Sequence, residues 1–487
     1  MSDNTKPRPI SLLDSIFLYG ESPSTMMHVA GLLRFSPSSS SVANDLRTLV
    51  DQARRDGVVY SPWNRKLRHP AALTTPLQAW VVDEDLDLDY HLRRSALPSP
   101  GDERELGILV SRLHSNPLDL SRPPWEMHII EGMHDGGFAI YVKLHHALVD
   151  GYTGMKLMQR GLSTDPDDRS IPLMFAVPPT ERRPKPDKSS SFLSGTVDRL
   201  GDLGRGVRTG ASTAYQVGNA VGQHVLRTGN ENLIGPAQAP ATILNRRIGR
   251  NRRFATQQYS LAGIKALGKR RGATVNDVCL AILGGGLRRF LTELGELPDR
   301  SLIAFVPVNV RPKGDAGGGN SVGGILATLG TDIADPAARL DAVAASTKAG
   351  KAQLEGMTQE GMVAYSAALL SPLGLQVGLS FAKLPAAVPL AFNVIVSNVP
   401  GPRETRYFRG SQVQAMHPVS IPAHGVALNV TMMSYVDTLN FGFVGDRDTL
   451  PHLQRLAIYT GEALEELEAA IDRATSGEGS NNTSTRK

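Results

Sequence analysis

The sequence has little of what secreted or membrane-spanning proteins need. It contains one cysteine in 487 residues, Cys279, so no disulfide can form within the chain. The N-terminal residues MSDNTKPRPISLLDS have no long apolar core of a signal peptide. No run of about 20 apolar residues predicts a transmembrane helix. We therefore expect a cytoplasmic protein in a reducing compartment. The apolar run 278–283 predicts that Cys279 is a buried structural residue rather than a catalytic thiol.

Positive charge is concentrated in one segment. The net charge is +5, but residues 181–253 hold thirteen Lys/Arg against five Asp/Glu, so the rest of the chain sums to −3. Nucleic acid, an anionic membrane surface and the phosphates of coenzyme A all bind such a segment. Because no nucleic-acid-binding module accompanies the charge, we favour the membrane surface and coenzyme A, and we expect no nucleic acid partner.

Residues 138–157 read FAIYVKLHHALVDGYTGMKL and carry the pattern H-H-x-x-x-D-G. Apolar residues alternate with other residues over 138–144, which predicts a strand, and helical spacing begins after the pattern. His145 and His146 therefore lie where a strand ends and a loop turns toward a helix. Because neighbouring strand residues point to opposite faces, the two histidines cannot both line one pocket.

This pattern can support acid–base chemistry. A histidine suits general-base catalysis on a hydroxyl because its unperturbed pKa is about 6.5. Asp150 could orient the imidazole or hold the loop through a cation, and Gly151 would permit a tight turn beside the site. The plainer interpretation is a buried histidine followed by an Asp-Gly turn. Two histidines, the aspartate and the glycine together after a strand favour a functional site.

H-H-x-x-x-D-G is shared by acyltransferases that use thioester-bound acyl groups, among them chloramphenicol acetyltransferase-like enzymes and peptide-synthetase condensation domains. Further motifs make the chain resemble the bacterial wax ester synthase/diacylglycerol acyltransferase family over nearly its whole length. These motifs are Leu12 or Leu13 with Asp14, Phe17 and Leu18; Met27-His28-Val29; Pro117-Leu118-Asp119 with Pro123-Pro124-Trp125, where Pro124 replaces the family's leucine; Asn276-Asp277; Gly319-Asn320; and Ser397-Asn398-Val399-Pro400-Gly401-Pro402.

The resemblance implies an α/β fold of two chloramphenicol acetyltransferase-like, CoA-dependent acyltransferase sandwich domains joined by a long helical crossover. It implies acyl transfer from a long-chain acyl-CoA, as co-substrate, to diacylglycerol or a fatty alcohol, giving triacylglycerol or wax ester. No resident cofactor and no metal are expected. His146 would be the general base. The absence of a G-x-S-x-G pattern argues against a serine acyl-enzyme.

Other site residues come from the two halves of the chain. The resemblance assigns His145, Asp150 and Gly151 to the same motif and places Asn276 at the shared site. The Asn276 amide could donate to the oxyanion formed on the thioester. The resemblance also implies that Arg311, on a predicted strand, pairs with Asp150. Thr274 and Asp277 form a capping-box-like pattern, which is the structural explanation of the Asn-Asp pair.

We predict an N-terminal half over 1–175, a basic, glycine-rich crossover over 176–253, a C-terminal half over 254–475 and a disordered tail over 476–487. Within the crossover, a candidate helix over 192–227 has glycine or alanine at strict four-residue spacing. It either packs on the protein or settles on a membrane or lipid-droplet surface. Residues 87–91, DLDYH, resemble a metal site, but they lack a further ligand and are taken as structural.

Two alternatives to this function remain open. The same fold could acylate a polyketide or another specialised lipid hydroxyl. A non-catalytic lipid-surface protein could also keep the fold, although the intact histidine motif with Asn276 and Arg311 argues against it.

Overall fold

The computed structural model describes residues 7–37, 42–75, 77–179, 231–235, 237–309, 322–381 and 390–481. The predicted helix over 192–227, Arg311 and the Gly319-Asn320 pair lie outside these stretches. Within them, no helix is both long and apolar enough to cross a lipid bilayer.

In the described residues, the β-structure consists of two six-stranded sheets and one small sheet, in agreement with the α/β prediction. The first sheet has the order β12-β13-β2-β7-β6-β5. Its strands are β2 (His28–Phe35), β5 (Leu92–Ala96), β6 (Trp125–Glu131), β7 (Phe138–His145), β12 (Tyr407–Phe408) and β13 (Ser411–Val419). Every residue of β7 is buried. The alternation predicted over 138–144 is thus confirmed as a strand, and it lies in the middle of the sheet.

The second sheet has the order β10-β9-β11-β14-β15-β8. Its strands are β8 (Arg252–Ser260), β9 (Ile303–Asn309), β10 (Val322–Thr328), β11 (Val394–Val399), β14 (Leu428–Tyr435) and β15 (Thr438–Asp446). Its helices are α6 (Leu261–Arg270), α7 (Val275–Glu293), α8 (Pro336–Glu355), α9 (Gln359–Phe381) and α10 (Leu453–Asn481). A Cβ at Gly284 would meet the Leu329 carbonyl oxygen, so glycine lets α7 approach the end of β10 closely.

The first sheet is completed by chain from the second half. β13 pairs antiparallel with β2, with Val419 opposite Ala30 and Met416 opposite Leu33. The predicted boundaries at residues 175 and 254 divide the chain by its order in the sequence. In space, residues 407–419 of the C-terminal half belong to the sheet of the first half. The two halves are therefore joined by a continuous backbone ladder as well as by the crossover.

After β2, the described residues of the first half form four helices: α2 (Val42–Asp56), α3 (Leu88–His91), α4 (Glu103–His114) and α5 (Gly151–Arg160). The spacing of apolar residues over 41–56 and 104–115 predicts amphipathic helices, and α2 and α4 confirm them. The last helix, α10, continues to Asn481, which lies in the segment 476–487 that was predicted as a disordered tail. α9 was not predicted.

A small sheet covers the loop after β7. It has the order β1-β4-β3, formed by β1 (Arg8–Pro9), β3 (Arg65–Leu67) and β4 (Ala79–Val82), and α1 (Leu12–Tyr19) follows β1 directly. Leu18, Leu67 and Trp80 pack with Ala147 in one apolar cluster. The N-terminal segment therefore forms a wall beside the histidine motif.

Candidate active site

Both histidines of the motif are fixed through their backbones. The His145 N–H donates to the Pro124 carbonyl at 3.0 Å, and the His146 N–H donates to the Met27 carbonyl at 2.8 Å. The strand ladder thus continues one residue past β7, and the two side chains leave the sheet on opposite faces. The predicted change from strand to loop to helix is confirmed.

The His145 side chain is occupied by structural contacts. It is 1% exposed, and the Ala147 N–H donates to its Nδ1 at 3.1 Å. A backbone N–H can only donate, so Nδ1 carries no proton and Nε2 does. Nε2 then donates to Glu21 Oε2 at 3.3 Å. Both ring nitrogens are therefore engaged, which leaves His145 to hold the loop.

His146 has the opposite environment. Its ring stacks on Phe17, with centroids 3.9 Å apart and an interplanar angle of 20°. The residue is half-exposed, yet its Nδ1 is buried and has no hydrogen-bond partner in the described part of the chain. Burial lowers the pKa of His146 to about 4, against the raising effect of Asp150. The imidazole is thus neutral near pH 7 and can accept a proton.

Sequence reasoning missed Glu21. Its Oε2 accepts from the Met27 N–H at 2.6 Å as well as facing His145. One carboxylate thereby fixes two groups. The first is Met27, just before β2, whose carbonyl accepts from the His146 N–H, and the second is the ring of His145. No local pattern distinguishes Glu21 from a surface glutamate, because its partner is 124 positions away.

We expect Glu21→Ala to lower kcat by about 10- to 100-fold with little change in KM. A hydrogen bond to a charged group contributes about 1.5–3 kcal/mol, and about 1.4 kcal/mol is tenfold in rate. Glu21→Gln keeps an acceptor for the Met27 N–H, so its kcat should lie between those of wild type and Glu21→Ala. Steady-state kinetics of both variants, with the exposed Glu84→Ala as control, would test this. Unchanged kcat in a folded Glu21→Ala protein would contradict it.

Asp150 and Gly151 begin α5. The Asp150 carboxylate is the N-cap and accepts from the Thr153 N–H at 2.6 Å. Its predicted partner Arg311 lies outside the described residues. Gly151 does not have a positive φ, and a Cβ there would meet nothing within 4 Å. The structure therefore gives no support to the tight-turn explanation of this glycine, which instead borders open space.

Asp277 has the capping role. The Thr274 N–H donates to Asp277 Oδ2 at 2.8 Å, and the Asp277 N–H donates to the Thr274 hydroxyl at 3.3 Å. The Thr347 hydroxyl donates to Oδ1 at 2.6 Å, which ties α7 to α8. Asn276 is half-exposed in the first turn of α7. Within the described stretches, no hydrogen bond or ring contact joins Asn276 to His146, so its oxyanion role stays a prediction.

A buried ion pair anchors β7 just before the histidines. Lys143 is fully buried, and its Nζ donates to the carbonyls of Leu113 at 3.1 Å and Asn116 at 2.9 Å. It also lies 3.2 Å from Glu126 Oε2. Burial alone would raise the pKa of Glu126, but His128 and the cations Lys143 and Arg93 lower it to about 2. The pair is therefore charged and holds the proline-rich connection against the strand.

Arg252 changes the interpretation of the basic segment. It is 3% exposed and donates to the carbonyls of Gly249 at 2.8 Å and Ser24 at 2.6 Å. It joins the two halves and is not available to a membrane or to coenzyme A. Arg246, Arg247 and Arg250 remain exposed. At least one of the positive charges expected on the surface, that of Arg252, is therefore buried and stabilises the fold.

Two other segments that the sequence analysis singled out make structural contacts. Asp87 caps α3 by accepting from the Asp89 N–H at 3.0 Å, and the ring of His91 donates from Nδ1 to the Trp125 carbonyl at 2.8 Å. This segment is structural, and the described residues contain no group of side chains able to hold a metal ion. Cys279 is fully buried, and burial raises the pKa of its thiol.

Comparison with known proteins shows which protein family the chain resembles. The family model described as the wax ester synthase/diacylglycerol acyltransferase catalytic domain matches residues 10–279, and the WS/DGAT C-terminal domain matches 318–468. A putative diacylglycerol O-acyltransferase of Mycobacterium tuberculosis is 54% identical, covering 95% of this chain and 98% of the relative. A probable diacylglycerol O-acyltransferase of the same species is 41% identical, with 94% and 98% covered.

Comparison with solved structures indicates the same family. The wax ester synthase/diacylglycerol acyltransferase from Marinobacter aquaeolei VT8 superposes with a TM-score of 0.74 at 35% identity, covering 96% of this chain and all of that one. The first condensation domain of the CDA synthetase has a TM-score of 0.54 at 16% identity, with 96% and 97% covered. The second likeness concerns the fold alone.

Proposed function

The chain belongs to the wax ester synthase/diacylglycerol acyltransferase family, and from this premise we propose that it transfers a long-chain acyl group from acyl-CoA to a lipid hydroxyl. The acceptor is diacylglycerol, giving triacylglycerol, or a fatty alcohol, giving a wax ester. The observation that carries this proposal is the environment of His146: a partly exposed side chain just after β7, with an imidazole that is neutral near pH 7, in the motif of an acyltransferase family.

The proposed chemistry needs no resident cofactor. His146 removes the hydroxyl proton of the acceptor, and the resulting alkoxide attacks the thioester carbonyl. The negative charge passes to the carbonyl oxygen, where the Asn276 amide is the proposed donor. Collapse of this intermediate breaks the carbon–sulfur bond, and the imidazolium returns its proton to the coenzyme A thiolate. Asp150 favours the imidazolium, since its charge raises the pKa of His146.

Release of free coenzyme A thiol from palmitoyl-CoA tests the function, with diacylglycerol and hexadecanol offered separately. Acceptor-dependent release, with the ester identified by chromatography, would support the proposal and rank the acceptors. The same rate without acceptor would indicate a thioesterase. No release with either acceptor would favour a polyketide or other specialised hydroxyl, or a non-catalytic protein.

We propose further that the protein works on a lipid surface through α9. Residues 361–381 contain no charged side chain, yet Ala367, Ala368, Ser371 and Leu375 are exposed on this helix, Leu375 by 55%. An uncharged, exposed helix face fits a neutral lipid surface, where diacylglycerol resides. The exposed arginines of the 181–253 segment would add attraction to anionic lipid.

We expect Leu375→Glu to weaken sedimentation with phosphatidylcholine vesicles that contain diacylglycerol by about tenfold. Burial of a leucine side chain contributes about 1.5–3 kcal/mol, which is tenfold or more in affinity. The control is Ile458→Glu, because Ile458 is 52% exposed on α10. Equal binding of wild type and Leu375→Glu would place the lipid contact elsewhere.

A further inference from the structure

One face of the His146 imidazole is covered by an aromatic ring from another element. The ring of Phe17, in α1, stacks on it with centroids 3.9 Å apart and an interplanar angle of 20°. A nearly parallel stack at this distance leaves no room for water on that face. The nitrogens of an imidazole bind hydrogen-bond partners at the edge of the ring, in its plane, so a ring stacked on the face does not block them.

Phe17 is held in place by the short helix that carries it. Ser11 caps α1, because its hydroxyl accepts from the Asp14 N–H at 3.1 Å and donates to the Asp14 carboxylate at 2.7 Å. Leu18 is 1% exposed and packs with Ala147 of the histidine loop in one apolar cluster. Phe17 packs against the same cluster. The helix and the histidine loop are therefore fixed to each other at two adjacent positions.

The charges that act on the His146 ring come from its own loop. Asp150 favours the protonated ring, and His145 opposes it. In α1 the charged residue is Asp14, whose carboxylate is bound to the N-cap serine, and after the helix Glu21 faces the ring of His145. The small sheet meets the loop through apolar side chains. Proton uptake by His146 therefore places a positive charge against the π-electrons of the stacked ring.

We propose that Phe17 is a positioning residue for the reaction: its ring fixes the direction of the His146 nitrogens and attracts the positive charge that His146 gains with the acceptor proton. A cation over the face of an aromatic ring is stabilised most where water is excluded. Because the imidazole is neutral before the proton transfer and positive after it, this attraction lowers the transition state more than the ground state. The proposal rests on the acyl transfer proposed above.

Replacement of Phe17 with leucine separates the π-electrons from the apolar volume. Phe17→Leu keeps water from the ring but has no aromatic face, so we expect kcat for acyl transfer to fall by about 3- to 30-fold, the range of a cation–π contact. Phe17→Tyr keeps the aromatic face and should stay close to the wild-type rate. The control is Tyr19→Leu, the same loss of a ring at a residue of α1 that is 39% exposed, which should leave kcat unchanged. Equal kcat for Phe17→Leu and wild type would overturn the proposal.

The pH profile separates this role from a purely structural one. Burial is the largest cause that lowers the pKa of His146, to about 4. kcat/KM of wild type should therefore be level from about pH 5.5 upward. Phe17→Ala opens the ring face to water, which raises the pKa of His146 toward its ordinary value of about 6.5. Its kcat/KM should then fall as the pH drops below about 6.5, because a protonated imidazole cannot act as a base.

A structural role alone would lower kcat/KM of Phe17→Ala by the same factor at every pH, and that result would overturn the proposal. Melting temperatures check that both variants are folded, and Phe17→Leu, the smaller change, decides if Phe17→Ala is not. If wild type transfers no acyl group, NMR of ring-labelled histidines decides, with the His146 signal identified by its loss in His146→Ala. The proposal requires a higher pKa of His146 in Phe17→Ala than in wild type, and equal values would refute it.

Discussion

Replacement of His146 with alanine is expected to lower acyl transfer by about 10²- to 10⁴-fold, the usual contribution of a general base. The ring stacks on Phe17, so its removal takes away the proposed proton acceptor and leaves the His145–Glu21 contact in place. kcat for thiol release, with diacylglycerol and with hexadecanol, is the measurement. His146→Gln keeps much of the shape without a base of comparable strength and should be as inactive.

The control for this result is His134→Ala, because His134 is an exposed loop residue. It should retain wild-type activity. Melting temperatures within a few degrees of wild type would show that loss of activity is not loss of fold. Acceptor-dependent turnover by a folded His146→Ala protein at more than about a tenth of the wild-type rate would remove His146 as the base.

Replacement of Lys143 with methionine is expected to lower the free energy of unfolding by about 3–5 kcal/mol. Removal of one partner from a buried ion pair leaves the other charge uncompensated, which is the costly case. Here Glu126 would keep only Arg93, 3.7 Å away and more exposed, together with the His128 ring. The carbonyls of Leu113 and Asn116 would lose their donor as well. Urea denaturation of the purified variant measures the change.

Two further variants separate the ion pair from side-chain size. Lys156→Met makes the same change at an exposed site and should stay within about 0.5 kcal/mol of wild type. The double variant Lys143→Met/Glu126→Gln removes both charges, so it should be more stable than Lys143→Met alone. If the double variant is the less stable of the two, the buried charge of Glu126 is not the cause.

The parts of the site that the sequence predicted are those encoded by local patterns. Alternation over 138–144 predicted β7, and a threonine followed three residues later by aspartate predicted the cap of α7. The opposite faces of His145 and His146 followed from strand geometry alone. Each of these inferences needs only residues that are close in the chain.

What the sequence did not predict depends on contacts between distant residues. Glu21 binds a histidine 124 positions later, and Arg252 donates to a carbonyl 228 positions earlier. Neither partner leaves a pattern in its neighbours. α9 was missed for a different reason: from residue 361 onward its sequence has no charged residue and no polar face, so it lacks the periodicity that marks an amphipathic helix.

The pairing of β13 with β2 has a consequence for synthesis of the protein. The ribosome releases β2 early. One edge of β2 pairs with β13, and β13 follows only after residues 36–410 have been made. Throughout that interval the nascent chain exposes a strand edge, which can pair with other chains and promote aggregation. The first half thus completes its sheet only near the end of translation, and shielding of β2 by a chaperone would matter most before residue 419 emerges.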